Sequence, residues 1–274
     1  MIEAALGEDL FGRAKHIRRD IVEMIYRAKS SHIGCALSAA DILTALYFGG
    51  VLRIDPKSPK APGRDRLILS KGHAVTAVYA ALAERGFFPK EKLLEYGTDG
   101  TTLASHIVLD VLPGTETSSG SGGHGLPMGV GMALAARADK NGARIFVLSG
   151  DGELEEGSAW EAMLFAGHHK LSNLKLIVDR NDLQDGVDGL RVSDVLDLNP
   201  LDEKFRAFGW EVDIVDGHDP AALIPALKKE TARPHAIIAK TVKGKGVSFM
   251  ENRGEWHGKC PNADEYAIAI KELS

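Results

Sequence analysis

A chain of 274 residues that is 44% apolar, with 33 basic and 38 acidic side chains and a net charge of −5, can bury a sizeable core, which excludes the disordered and fibrous classes. No stretch reaches the about 18 uncharged apolar residues of a membrane span. The start, Met1-Ile2-Glu3 with Glu8 and Asp9, is acidic where a signal peptide would be basic, so a cytoplasmic protein without a membrane partner is expected. Mild acidity gives no general field for nucleic acid, so an anionic ligand must be held by local chemistry. Cys35 and Cys260 form no CxxC or CxxH pair and read as bystanders.

Apolar spacing predicts a helix through about 8–30 (Leu10, Ala14, Ile17, Ile21, Met24, Ile25) and a second from Ser38, a good N-cap, through Tyr47. The proline-containing segment 56–63 reads as a loop, Arg66–Leu69 as a short buried strand and Ala74–Arg85 as a helix. Four further strands are expected at 144–148, 174–178, 211–215 and 236–239. Helices are expected near 126–139, 156–171, 200–208, 219–231 and 263–273. Short apolar strands alternating with helices predict an α/β fold: a doubly wound, mostly parallel sheet with helices on both faces. No linker divides the chain, so residues 1–274 read as one domain with a helical lead-in. Ligands in such sheets gather at the carboxyl ends of strands.

One βαβ unit holds the most informative residues. Ser149-Gly150-Asp151-Gly152 follows one strand, and Asp179-Arg180-Asn181-Asp182-Leu183 ends the next. A right-handed crossover would bring Asp151 and Asn181 to one edge. Magnesium takes six oxygens, usually one or two from the protein with the rest from phosphates and water. Asp151, the Asn181 amide oxygen and a nearby backbone carbonyl fit that pattern. Gly150-Asp151-Gly152 alone would read as a turn after a strand; the asparagine thirty residues on favours a site. Gly120-Ser121-Gly122-Gly123-His124-Gly125 fits the letter of a dinucleotide fingerprint, but polar loop rather than strand precedes it. It reads as a loop that offers backbone N–H groups to a cofactor. Lys243-Gly244-Lys245-Gly246 reads as a solvated turn more than a phosphate contact, and His168 and His169 as cations that suit a helix C-terminus.

With Asn181 and Leu183 in place, the chain resembles the thiamine diphosphate signature. Ser31-His32-Ile33-Gly34, Leu69-Ser70-Lys71-Gly72-His73-Ala74, the glycine loop 120–125, Gly150-Asp151-Gly152-Glu153-Leu154-Glu155-Glu156-Gly157 and Trp256-His257-Gly258-Lys259 narrow the resemblance to transketolases over nearly the whole chain. Three departures stand out: Ile33 in place of proline, Ser121-Gly122-Gly123 in a loop that is commonly Gly-Pro-Leu-Gly, and a run Asn181 to Asp185-Gly186 one residue short.

The resemblance implies thiamine diphosphate with Mg2+, or Ca2+ or Mn2+ in its place, and metal ligands Asp151, Asn181 and Leu183. It implies cofactor contacts from His73, Gly120, Gly122, Gly123, His124, Gly150, Asp151, Gly152, Glu153, Asn181 and His257. Catalytic histidines would be His32, His73, His106 and His257, whose imidazoles suit proton shuttling near neutral pH. Glu156 matches a glutamate at a subunit interface, and reads equally as a first-turn helix carboxylate.

The implied reaction is transfer of a two-carbon ketol unit from a ketose phosphate to an aldose phosphate. It also needs a glutamate on a pyrimidine-binding domain. The chain reaches Ser274 soon after Trp256-His257, so it resembles the N-terminal subunit of a split transketolase. A C-terminal partner subunit would bring that domain and glutamate, and self-association would give a dimer of heterodimers. A 1-deoxyxylulose-5-phosphate synthase-like or 2-oxo acid dehydrogenase α-like subunit is the alternative; tryptophan before His257 and Phe249-Met250-Glu251-Asn252 look more like transketolase. A non-catalytic scaffold would have no need of Asp151, Asn181 and four histidines.

Overall fold

In the computed structural model, which describes residues 2–184 and 190–274, five parallel strands form one sheet. They are β1 (Arg66–Leu69), β2 (Ile145–Gly150), β3 (Leu174–Arg180), β4 (Glu211–Asp216) and β5 (His235–Lys240), in the order β1-β2-β3-β5-β4. The helices are α1 (Ile2–Ala28), α2 (Ile33–Phe48), α3 (Val75–Arg85), α4 (Gly125–Ala138), α5 (Gly157–His168), α6 (Val192–Val195), α7 (Leu201–Ala207), α8 (Pro220–Lys228) and α9 (Ala263–Glu272). All five expected strands form, each within two residues of its predicted ends.

Alternation along the strands divides the apolar residues between two cores. Leu67, Leu69, Phe146, Leu148, Ile177 and Ile237 pack with α1, α2, α3 and α8. Ile68, Ile145, Val147, Leu176, Val178 and Ile238 pack with α4, α5 and α7 on the opposite face. Helices therefore cover both faces, and the carboxyl ends of the central strands remain as an edge on which loops converge. Among the described residues no helix is long and apolar enough to cross a membrane.

The start of α2 departs from expectation. Ser38 does not cap it: the helix begins at Ile33, after His32 in a left-handed conformation, and every residue from Ile33 to Tyr47 is buried. A helix apolar on nearly all sides is one wrapped by neighbours, here α1 and α3. Ser38 lies inside it, and its hydroxyl donates to the Cys35 carbonyl (3.1 Å) and Asp179 Oδ2 (2.6 Å). Asp185 and Gly186, at the end of the signature run, lie outside the described residues.

Candidate active site

β2 and β3 pair in register, with Gly150 opposite Asp179, so Asp151 and Asn181 leave the sheet at the same edge. Asp151 opens a 3-10 turn over Gly152–Glu155. Its Oδ1 accepts the Gly152 N–H (3.0 Å) and its Oδ2 the Asp182 N–H (2.7 Å). Asn181 Oδ1 accepts the Leu183 N–H (3.2 Å), and the Leu183 carbonyl accepts from the Lys243 ammonium (2.9 Å). Asp151, Asn181 and Leu183 all line one cavity of about 200 Å3, with His73, His257, Lys71, Lys243 and Cys35 around them.

These oxygens suit a hard cation: one carboxylate, one amide oxygen and one backbone carbonyl, with room for ligand phosphates. The Lys243 ammonium already on the Leu183 carbonyl marks that oxygen as a cation's partner. Among the described residues no group of three or more His, Cys, Asp or Glu is placed to hold a metal by itself, so a cation here would depend on backbone, amide and ligand oxygens. Burial pushes the Asp151 carboxyl up to about 6, against the pull of the Asp182 N–H.

Lys71 forms the cavity's charged floor. It is buried and ion-paired with Asp179, and it donates to the Cys35 carbonyl (3.1 Å). Burial alone would raise Asp179, but the Lys71 charge and hydrogen bonds from Lys71, Ser38 and Thr241 hold its carboxyl below the usual range. Burial lowers the pKa of Lys243.

The four predicted histidines come together. His32 lies 5.4 Å from His73, 5.2 Å from His257 and 6.5 Å from His106, measured between ring centroids, and His73 lies 5.2 Å from His257. His32 N–H donates to the His257 carbonyl (2.8 Å), tying the first and last motifs. Because an ammonium only donates, His257 Nδ1, 2.9 Å from Lys243 Nζ, accepts, and its ring proton sits on Nε2. Burial, and then the charge of Lys71, pushes His73 well below its ordinary value, so it is neutral at physiological pH. Gly72 permits this packing: a Cβ there would meet Ser119 Oγ at 2.5 Å and His106 Cδ2 at 3.0 Å.

The residues expected to contact a cofactor stand differently around this cavity. Glu153 lines the cavity, but its carboxylate is taken by Ser70 Oγ (2.7 Å) and the N–H groups of Gly123 (3.1 Å) and Gly150 (2.9 Å). Those two N–H groups, and that of Gly152 on Asp151, are therefore committed inside the protein. His124 does not line the cavity; it is exposed, with Nδ1 2.9 Å from the Gly122 carbonyl. Gly122 lines the cavity, whereas Gly120 and Gly123 do not. Lys243 is no solvated turn but a buried wall of the cavity, and Cys35 lines it too rather than standing by. Position offered a signal for Lys243, since it lies just past the carboxyl end of β5. Glu156 stands exposed at the rim, at the start of α5.

Fold and site together define a parallel α/β protein with a cleft at the carboxyl ends of its strands, lined by Asp151, Asn181, Leu183 and the buried Lys71 and Lys243. The model for the transketolase thiamine diphosphate binding domain matches residues 12–273, and the chain belongs to the transketolase family. It is 44% identical over 269 residues to one of the subunits of the apulose-4-phosphate transketolase of Actinobacillus succinogenes, covering 97% of this chain and 96% of that one. It is 40% identical over 268 residues to a 6-deoxy-6-sulfo-D-fructose transketolase subunit of a Clostridium species, covering 97% and 96%. The crystal structure of transketolase from Campylobacter jejuni superposes with a TM-score of 0.88 at 32% identity; the match spans 96% of this chain and 42% of that one. The chain thus matches relatives called subunits over almost their full length, and the longer transketolase over less than half.

Proposed function

We propose that residues 1–274 serve as the diphosphate-binding half of a split transketolase that moves a two-carbon ketol unit from a ketose phosphate to an aldose phosphate. The observation that carries this reading is the meeting of Asp151, Asn181 and the Leu183 carbonyl with two buried lysines, His73 and His257 around one cavity, with the rings of His32 and His106 clustered beside them. Asp151, Asn181 and Leu183 would hold Mg2+, and Lys243 and Lys71 offset the charge of the diphosphate of thiamine diphosphate. When bound, that cofactor supplies the carbon nucleophile and electron sink of the reaction.

This chain's own residues bind, orient and move protons. Neutral His73 is an acceptor, and His257 with its proton on Nε2 is a donor. His32 and His106 complete the ring cluster that faces sugar hydroxyls. Glu153, which lines the cavity, also holds the glycine loop through the Gly123 N–H. The relatives named as subunits support a partner chain, and we assign to it the pyrimidine-binding domain and its activating glutamate, in a dimer of heterodimers.

Native mass spectrometry of the complex purified from its own source in Mg2+ tests this reading. A second chain in equal amount, with thiamine diphosphate retained, is expected. A chain associated only with itself and carrying no cofactor overturns it.

A further inference from the structure

A line of buried and half-buried polar side chains runs from α1 to the loop that delivers Lys243. Arg18 of α1 donates to Asp41 Oδ2 of α2, and His218 Nδ1 lies 2.6 Å from that same oxygen. On the other side of the ring, the Val242 N–H donates to His218 Nε2 at 2.8 Å. A backbone N–H is always a donor. Nε2 therefore carries the lone pair, and the ring proton sits on Nδ1, donated to Asp41.

The turn that carries His218 is built against the Lys243 loop. Gly217 N–H donates to the Lys240 carbonyl (2.8 Å), and a Cβ at Gly217 would meet Thr241 Cγ2 at 2.5 Å. His218 N–H donates to Asp216 Oδ1 (2.8 Å), which sets the turn, and Asp219 accepts the Ala221 N–H (2.9 Å) to start α8. On the loop itself, Thr241 reaches Asp179 and the Gly244 N–H reaches the Gly34 carbonyl (2.9 Å). His218 secures the residue between Thr241 and Lys243.

We propose that His218, oriented by Asp41 and Arg18, is the positioning residue that keeps Lys243 in the cavity. It acts on the diphosphate through Lys243 and not by contact, and so rests on the cavity reading above.

Acetylation of the full chain by acetic anhydride, with peptide mass spectrometry, reads the position of Lys243 directly, and ion-paired Lys71 serves as internal reference. In His218→Ala, labelling of Lys243 is expected to rise roughly tenfold while Lys71 stays protected, the effect of leaving one buried donor unmet. His218→Gln, whose amide keeps one acceptor and one donor, restores protection. His218→Phe, which keeps the ring's bulk and removes both nitrogens, repeats the comparison should alanine leave too large a hole. Titration with inorganic pyrophosphate and Mg2+ adds a cycle: His218→Ala binds roughly tenfold more weakly, and adding it to Lys243→Met causes no further loss. Lys243 that stays protected in His218→Ala and His218→Phe, or losses that add in the double variant, overturn the proposal. Pyrophosphate that fails to bind the unaltered chain counts against the cavity reading instead, and labelling then decides the role of His218.

Discussion

Asp151 Oδ2 accepts the backbone N–H of Asp182 at 2.7 Å, tying the loop after β2 to the loop after β3. One carboxylate thus sets the spacing of the two segments that would share a cation. Asp151→Ala is expected to abolish Mg2+-dependent binding of thiamine diphosphate, a loss of at least about a hundredfold, since even outer-shell partners cost about ten- to hundredfold. The freed Asp182 N–H adds a stability cost of about 1 kcal/mol, and the circular dichroism spectrum stays that of the folded protein. Binding left unchanged in calorimetry would sink the metal assignment.

Glu153 gathers three donors from three segments: Ser70 after β1, Gly123 of the glycine loop and Gly150 at the end of β2. Glu153→Gln keeps the shape but turns an amide N–H2 toward a donor that the carboxylate had accepted. A loss of about 1–3 kcal/mol in urea unfolding is expected, together with faster hydrogen exchange at Gly123 and Gly150. Protection of those two amides equal to that of the unaltered protein would show that the loop is held by something else.

What the sequence displays, and what it hides, follows from the range of the forces involved. Strands β2 and β3 are readable from their apolar runs because burial on both faces excludes polar residues. Asp151 and Asn181 can be placed because a single βαβ unit fixes their convergence, whereas Leu183 is reached only through the family resemblance. The start of α2 is hidden: Ser38 is a good capping residue, yet the helix begins at Ile33, where its buried first turn packs against segments distant in sequence. Lys243 is legible only by its position past β5; its burial and its bond to the Leu183 carbonyl, 60 residues away, are tertiary. Glu153 sits in a quoted motif, but its three donors lie on segments whose proximity is purely tertiary.

Two glycines of α4 should respond in opposite directions. A Cβ at Gly125 would meet Ser70 Cβ at 2.3 Å and its Cα at 2.7 Å, because the helix start presses on the segment that leads to Lys71. A Cβ at exposed Gly131 meets nothing within 4 Å. Gly125→Ala is expected to destabilise by about 1–3 kcal/mol through overpacking, and to weaken ligand binding by moving Ser70. Gly131→Ala should stabilise by about 0.5–1 kcal/mol, as the helix gains a residue with less freedom to lose. Denaturant midpoints that moved in the same direction for both would contradict the close approach at Ser70.

At the opposite end of the sheet, His235 begins β5 fully buried, with Nδ1 3.2 Å from Lys175 Nζ and Nε2 3.0 Å from Asp213 Oδ2. Burial, and then the neighbouring Lys175 charge, pushes its pKa from 6.5 down to about 4. The unfolded chain takes up this proton near 6.5, whereas the folded one resists until about 4. The unfolded state therefore binds more protons in that window, and stability falls as the pH drops through it. The stabilisation is fully present above pH 6.5 and lost by about pH 4, with a ceiling of about 3 kcal/mol from this group. Asp213 adds to the same trend: the Lys229 and His235 interactions outweigh its desolvation and hold its carboxyl below the usual range, so protonating it in acid also costs stability. In His235→Phe, urea unfolding at pH 7 should show lower stability, because Lys175 and Asp213 lose a shared partner, but the difference between pH 7 and pH 4.5 should shrink. A variant whose stability fell with acid as steeply as that of the unaltered protein would place the acid sensitivity elsewhere in the fold.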